Sequence, residues 1–321
     1  MATLTGSVQN LSGLLYDAQD VSTPFLDAVY NRGRNGGRRL TFSQEFVLSN
    51  STQMLPPSQP SFSELDTLIA PTPDTFTREQ DYNIAQPFHR SIAVSYMKQS
   101  NFNAMDGLNL ANAQNNTPNE FNFQRDRAVK QIRLDLNYTI INGAFQFLRG
   151  DSTVEPMTRG LLEGVQTNLF VDSGAAPDKN RINEALNEAI ANGLVPEGLE
   201  IWVNPAMISP ITDNWIIIPG SALPASRTDG GVSYTNIMTD FGTMPIYHDR
   251  MIEDGILAFV AMGELAVAEK PYSPVGVSES MFGALYYEPL AKVGAAETGQ
   301  VYGEMGFDYA AEFLHMVLDL R

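Results

Sequence analysis

The sequence predicts an α+β protein, and three features carry that expectation. One is an uninterrupted helical pattern from Thr117 to Leu148. The second is a pair of period-two apolar runs, Leu40 to Ser49 and Ile92 to Tyr96, that precede it in the chain. The third is residues 178–260, where one amphipathic helix is followed by short apolar segments closed by Pro and Gly.

Taken in order, residues 1–37 are polar and broken by glycines, with one short helix signal. Thr23 as N-cap and Pro24 at the first helical position open Phe25 to Tyr30, and Gly33 closes it. Such a segment cannot build a core alone and must dock on something or remain an arm. Arg32, Arg34, Arg38 and Arg39 are the densest basic cluster in the chain. They fit a solvated loop, or an arm that pairs with acidic groups of another subunit or faces packaged nucleic acid. From Leu40 the period is two: Leu40, Phe42, Phe46 and Leu48 share a face, and Ile92, Val94 and Tyr96 form a second run. Between them lie Pro56, Pro57, Pro60, Pro71 and Pro73 with Phe62, Leu65, Leu68 and Ile69. The expected structure is a long two-stranded ribbon with an elaborated tip. A ribbon of two strands is marginal in water, so its apolar residues imply a partner chain.

After an Asn-rich connector, Thr117, Pro118 and Glu120 spell a capping box with Pro at the first helical position. Asp126, Lys130 and Arg133 form a charged stripe expected to face solvent or a neighbouring subunit. Phe121, Val129, Ile132, Leu136 and Ile140 form the apolar one. If the helix reached Leu148 it would span roughly 45 Å. Asn142-Gly143 is its weak point, because Gly is a helix stop, so helix is expected to Ile141. Ser173 to Pro177 marks a domain boundary. Beyond it, Asp178 caps a helix with Ile182, Ala185, Leu186, Ala189 and Ile190 on one face, ended by Gly193. Strands are expected at Ile201–Val203, Trp215–Ile218, Ile237, Ile246–Tyr247 and Ile256–Val260, with a glycine hairpin at Thr228 to Gly231. Two C-terminal runs, Ala284–Tyr287 and Phe307–Leu320, should pack beneath the long helix.

Composition narrows the function. Hydrophobic residues make up 43% of the 321 positions, enough for a sizeable core, and the absence of Cys excludes disulfides and Cys-ligated zinc. No secretory signal is legible at the N-terminus, and no apolar run is long enough to span a bilayer. The net charge of −17 is uneven. Residues 1–150 carry 12 basic and 13 acidic groups, and residues 151–321 carry 8 and 24. The acidic half is a poor nucleic-acid ligand, and the asymmetry suits either plain solubility or two halves in different surroundings. No phosphate-binding, nucleophile-elbow or zinc-protease motif occurs. The three histidines, His89, His248 and His315, are isolated in sequence. His248-Asp249-Arg250 with Glu253-Asp254 is the best polar cluster, the only footing for a hydrolase. No catalytic, cofactor or metal residue is assigned.

The order of parts, together with Thr23-Pro24-Phe25-Leu26, the charged Arg125–Asp135 helix ending in Ile141-Asn142-Gly143, and Arg159-Gly160-Leu161-Leu162, resembles tailed-phage major capsid proteins of the Hong Kong ninety-seven fold. Glu288-Pro289-Leu290 to Gly294, Gly303-Glu304 and Tyr309 to His315 are similar to the closing strands of the major head protein family grouped with phage SU-ten. The resemblance implies an N-terminal arm (1–37), an extended loop (38–98), a peripheral domain with the spine helix (99–172), an axial domain (173–261) and strands returning to the peripheral domain (262–321). It also implies hexamers and pentamers in an icosahedral head around double-stranded DNA, bound without sequence specificity. Portal, scaffolding and decoration proteins would be partners, in a virion assembled in the bacterial cytoplasm. No cofactor is implied. On this resemblance the subunit-interface candidates are Arg32, Arg34, Arg38, Arg39, Phe62, Leu65, Leu68, Ile69, Asp126, Lys130 and Arg133. Some relatives cross-link through a Lys in the extended loop, but no Lys precedes Lys98 here. An encapsulin-like cellular compartment shell is the alternative with the same fold.

Overall fold

The computed structural model describes residues 9–10, 22–52, 59, 61–70, 78–97, 120–151, 153–211, 226–229, 232–271, 284–292 and 294–321. Three expected features fall outside them: the Thr117-Pro118 cap, the strand at Trp215–Ile218 and the prolines of the ribbon. The long helix, α2, runs from Glu120 to Asn142 and so is roughly 34 Å long. It does not continue to Leu148. The returning chain crosses its end, and the Gly160 amide donates to Gly143 O at 2.8 Å. A Cβ on Gly143 would lie 2.6 Å from Thr158 O. Glycine is therefore required by close backbone approach as well as being a poor helix former.

The short N-terminal helix α1 (Pro24–Arg32) forms as read, with Phe25, Leu26, Ala28 and Val29 buried. Two sheets follow. In the first, β14 (Ala296–Asp308) is the hub. Along it pair β5 (Gln86–Ser95), β12 (Ala266–Lys270) and β13 (Leu285–Pro289), while β2 (Arg38–Leu40) adds to β12 and β1 (Gln9–Asn10) to β13. The second sheet has seven strands in the order β6-β15-β11-β7-β10-β9-β8. Their spans are β6 Leu169–Val171, β7 Leu199–Val203, β8 Ser226–Asp229, β9 Val232–Thr239, β10 Gly242–His248, β11 Ile256–Ala261 and β15 Met316–Asp319. A short helix α3 (Leu161–Gly164) follows the spine, and α4 (Lys179–Ala191) covers one face of the second sheet.

Two sequence expectations change. The Ile92–Tyr96 run is not the second strand of the ribbon. It belongs to β5, which lies on β14, and its Ile92 and Val94 join the core with Ile132 and Leu136 of α2. The ribbon is instead β3 (Glu45–Thr52) with β4 (Arg78–Ile84). The Phe307–Leu320 run does not pack beneath the spine helix throughout. Its first part ends β14, whereas β15 crosses to the second sheet and pairs with β11 and β6. Each run reads locally as strand-forming, but strand partners are fixed by segments distant in sequence.

The two cores meet across the second sheet. Ile201, Val203, Leu257 and Phe259 pack on the α4 side, while Trp202, Ala258 and Val260 point to the core shared with α1, α2 and the first sheet. Alternation along β7 and β11 puts successive side chains in different cores, which is why both strands read as continuous apolar runs.

Candidate assembly surfaces

The ribbon is rooted by polar contacts and capped by apolar ones. At its root Asn83, fully buried, donates to Phe307 O at 2.8 Å and Arg159 O at 2.9 Å, and accepts from the Arg159 amide at 2.8 Å. Arg159 also reaches Asp81 and the Tyr309 hydroxyl, each at 3.2 Å, and that hydroxyl donates to Asp81 at 3.1 Å. Arg149 forks onto Glu45 and holds its carboxyl below the usual range. Beside this root is a groove of about 650 Å³ lined by both polar and apolar residues, Gln44, Glu45, Arg149 and Asp151 with Phe147 and Leu148 among them.

At the tip, Ser63 and Asp66 form a reciprocal cap. The Ser63 amide and hydroxyl donate to Asp66 Oδ2 at 2.9 and 2.7 Å, and the Asp66 amide returns to Ser63 Oγ at 3.2 Å. The turn so held presents Phe62, Leu65, Leu68 and Ile69 to solvent, 67 to 79% exposed. Four large apolar side chains within eight residues, uncovered by their own chain, mark an interaction surface. The four tip candidates are thus brought together and exposed.

The four arginines are placed otherwise than expected. Each pairs with an acid of its own chain. Arg32 donates to Glu200 at 2.6 Å and to the Tyr247 hydroxyl at 2.8 Å, with its guanidinium 4.5 Å from that ring centre. Burial raises the Glu200 carboxyl pKa despite this partner. Arg34 and Arg39 converge on Asp308 Oδ2 at 2.5 and 2.7 Å, and Asp308 is fully buried. Arg38 lies 3.7 Å from Glu269. The turn through Asn35, Gly36 and Gly37, all at positive φ, folds this segment onto β12, where the Arg34 amide donates to Leu265 O at 2.8 Å. The acids come from strands far along the chain, so no local pattern announces them.

Of the charged stripe on the spine, Asp126 is exposed beside Arg125, and Lys130 is half-buried. Arg133 is a correction: it is 1% exposed and ion-paired to Asp27, with Nε donating to Thr23 Oγ1 at 2.9 Å. Its position on the wheel is polar, but α1 docks over that face. Thr23 does not cap its own helix either. The first free amides of α1 are accepted from elsewhere: Phe25 N by Asp249 Oδ2 at 3.1 Å and Leu26 N by Asn137 Oδ1 at 3.0 Å. Asn137 Nδ2 in turn donates to Asp249 Oδ2 at 3.0 Å. A carboxylate at a helix N-terminus satisfies both the unpaired amides and the helix dipole. Burial raises the Asp27 carboxyl pKa, against the lowering effect of Arg133.

The hydrolase reading loses its groups in the same way. Asp249 is engaged at the α1 terminus and by the Met251 amide at 2.8 Å, and Glu253 is ion-paired to Arg321. The two carboxylates nearest His248 are therefore committed to structure. Among the described residues no three His, Asp or Glu side chains gather as a metal site. The polar group whose burial the sequence did not announce is His315. It is fully buried, accepts from the Ala261 amide through Nδ1 at 3.2 Å and lies 2.7 Å from Tyr309 O through Nε2, which must carry the proton. Burial lowers its pKa to about 4.

The family described as SU10 major capsid protein matches residues 1–320. Among curated proteins no relative matches. The fold is shared with a structure from Mycobacterium phage Patience at 12% identity and a TM-score of 0.57, covering 97% of this chain and 88% of that one. The Cyanophage A-1(L) capsid is similar at 11% identity and 0.57, covering 94% and 93%. The SrpI encapsulin complex of Synechococcus elongatus PCC 7942 matches at 13% identity and 0.57, covering 88% and 84%.

Proposed function

The chain belongs to the SU10 major capsid protein family, and from that premise we propose that its ribbon lies over an adjacent copy within hexamers and pentamers that close an icosahedral head around double-stranded DNA. Family membership makes it a structural shell component of a phage virion and not an enzyme. The observation that carries the proposal is the ribbon tip, where Phe62, Leu65, Leu68 and Ile69 are solvent-facing on a turn held by its own hydrogen bonds. Such a surface gains free energy only when another molecule covers it. In a ring each tip meets a different surface on the next copy, the heterologous contact that closes cyclic assemblies.

The parts divide as arm (1–37), extended loop (38–98), peripheral domain (99–172 with 262–321) and axial domain (173–261), except that β6 and β15 are lent to the axial sheet. Burial of α1 in the main core and the pairing of β1 with β13 support an arm that docks on its own subunit at these two places. Portal, scaffolding and decoration proteins would join the assembled shell in the bacterial cytoplasm. An acidic chain suits a lining that does not grip its DNA. With no Lys before Lys98, the shell is held without cross-links through the extended loop.

Thr52 pairs with Arg78, so replacing residues 53–77 by a short Gly-Ser turn closes the ribbon while sparing buried Asn83 and Ile84. The variant should fold and remain as free subunits or small oligomers, seen by sedimentation and electron microscopy, where the full chain forms closed particles. Closed particles of unchanged size from the shortened chain would refute the ribbon's role.

A further inference from the structure

The spine helix grips the axial sheet at two points through directional polar contacts. Asn137 Nδ2 donates to Asp249 Oδ2 at 3.0 Å, and Asn142 Nδ2, more than one turn further on, donates to Met251 O at 2.7 Å. Both acceptors lie in the short loop between β10 and β11. That loop is anchored in its own sheet: the Asp249 amide donates to Val203 O at 3.0 Å, and Asn204 Nδ2 donates to Ile252 O at 2.6 Å. Helix α1 sits as a wedge in the angle, its first amides on Asn137 and Asp249 and its Phe25 ring 5.0 Å from Trp202.

Apolar faces packed alone can slide and rotate at little cost, whereas hydrogen bonds between buried groups have one geometry and are costly to leave unmade. Buried polar networks earn their place most clearly where they fix register between elements. We infer that Asn137, Asn142 and Asp249 are positioning residues that set the angle between the axial and peripheral parts of the subunit, and through it the curvature of the shell. The inference rests on the shell reading above. A small change of angle within each subunit is repeated at every contact, so it appears as a change in particle diameter or as failure to close.

The test compares shells assembled from the full-length chain and from Asn142→Ala, Asn137→Ala and Leu186→Ala. Leu186 is buried in the α4 core, away from the joint, and serves as a stability control. Asn142 is half-buried, so Asn142→Ala should fold even if Asn137→Ala does not. Diameter is read by electron microscopy and melting temperature on unassembled subunits. The expected result is a shifted or broadened diameter, or open sheets, for the Asn142 variant, and native diameter for the Leu186 variant even where its melting temperature falls further. Native diameter from Asn142→Ala, or an equal shift from the Leu186 control, overturns the inference. If the unaltered chain forms no shells under these conditions, the shell reading fails instead.

Discussion

Replacing Leu65 and Leu68 by Ser isolates what the ribbon tip contributes to assembly. Both side chains are about three-quarters exposed, at 74 and 79%, so the subunit itself should lose less than about 0.5 kcal/mol. Full burial of a leucine is worth about 1.5–3 kcal/mol, and covering the exposed part of two by a neighbouring copy should contribute roughly 2–4 kcal/mol per contact. At 1.4 kcal/mol for each factor of ten, the concentration needed for assembly should rise about 30- to 700-fold. Light scattering across a concentration series measures that threshold, and a thermal melt of dilute subunit checks that folding is intact. Unchanged melting with a raised threshold is the expected pair of results. An unchanged threshold would mean that the tip faces solvent in the shell, and the reasoning from exposed apolar area would be wrong.

Three further outcomes follow from the interior. His315 is neutral when folded, with a pKa lowered to about 4 from 6.5, so the unfolded chain takes up its proton first as pH falls. Stability is whole above pH 6.5 and declines through the window down to about 4, by about 2 kcal/mol between pH 7 and 5; urea midpoints of the unassembled subunit should show this slope, and His315→Gln should flatten it. Asp308→Ala leaves Arg34, Arg39 and the Ala310 amide without their shared carboxylate and should cost about 2–3 kcal/mol, less than a fully buried pair because both arginines are about one-third exposed; equilibrium unfolding that differs by under 0.5 kcal/mol would contradict it. Gly160→Ala would place a Cβ 2.8 Å from Thr139 O at the end of the spine, and should lower stability by about 1–3 kcal/mol in the same assay.

Much of this fold was open to reading because its signals are local. Helix α4 follows from Ile182, Ala185, Leu186 and Ala189 on one face and from Gly193 after its end, all within one stretch of chain. The end of α2 was legible at Asn142-Gly143 for the same reason, and the exposed tip residues were legible as apolar side chains in a proline-rich segment with no core of their own. Family resemblance was readable too, since it depends on the order of such local motifs.

The pairing of distant groups was not legible. Arg133 is spaced as a surface residue, and only the docking of α1 over it, with Asp27 and Thr23 as partners, makes it a buried one. The arginine cluster reads as a free basic patch until β7, β12 and β14 bring Glu200, Glu269 and Asp308 against it. Alternation at Ile92–Val94 and the apolar run at Met316–Leu318 announce strands but not their neighbours, because a strand's apolar face fits more than one sheet until the rest of the chain closes around it. The sequence by itself determined which segments are helix or strand and which side chains had to find cover. Tertiary structure decided which charges are satisfied within the subunit, pairing the arginines with distant acids while the apolar side chains of the ribbon tip stay exposed.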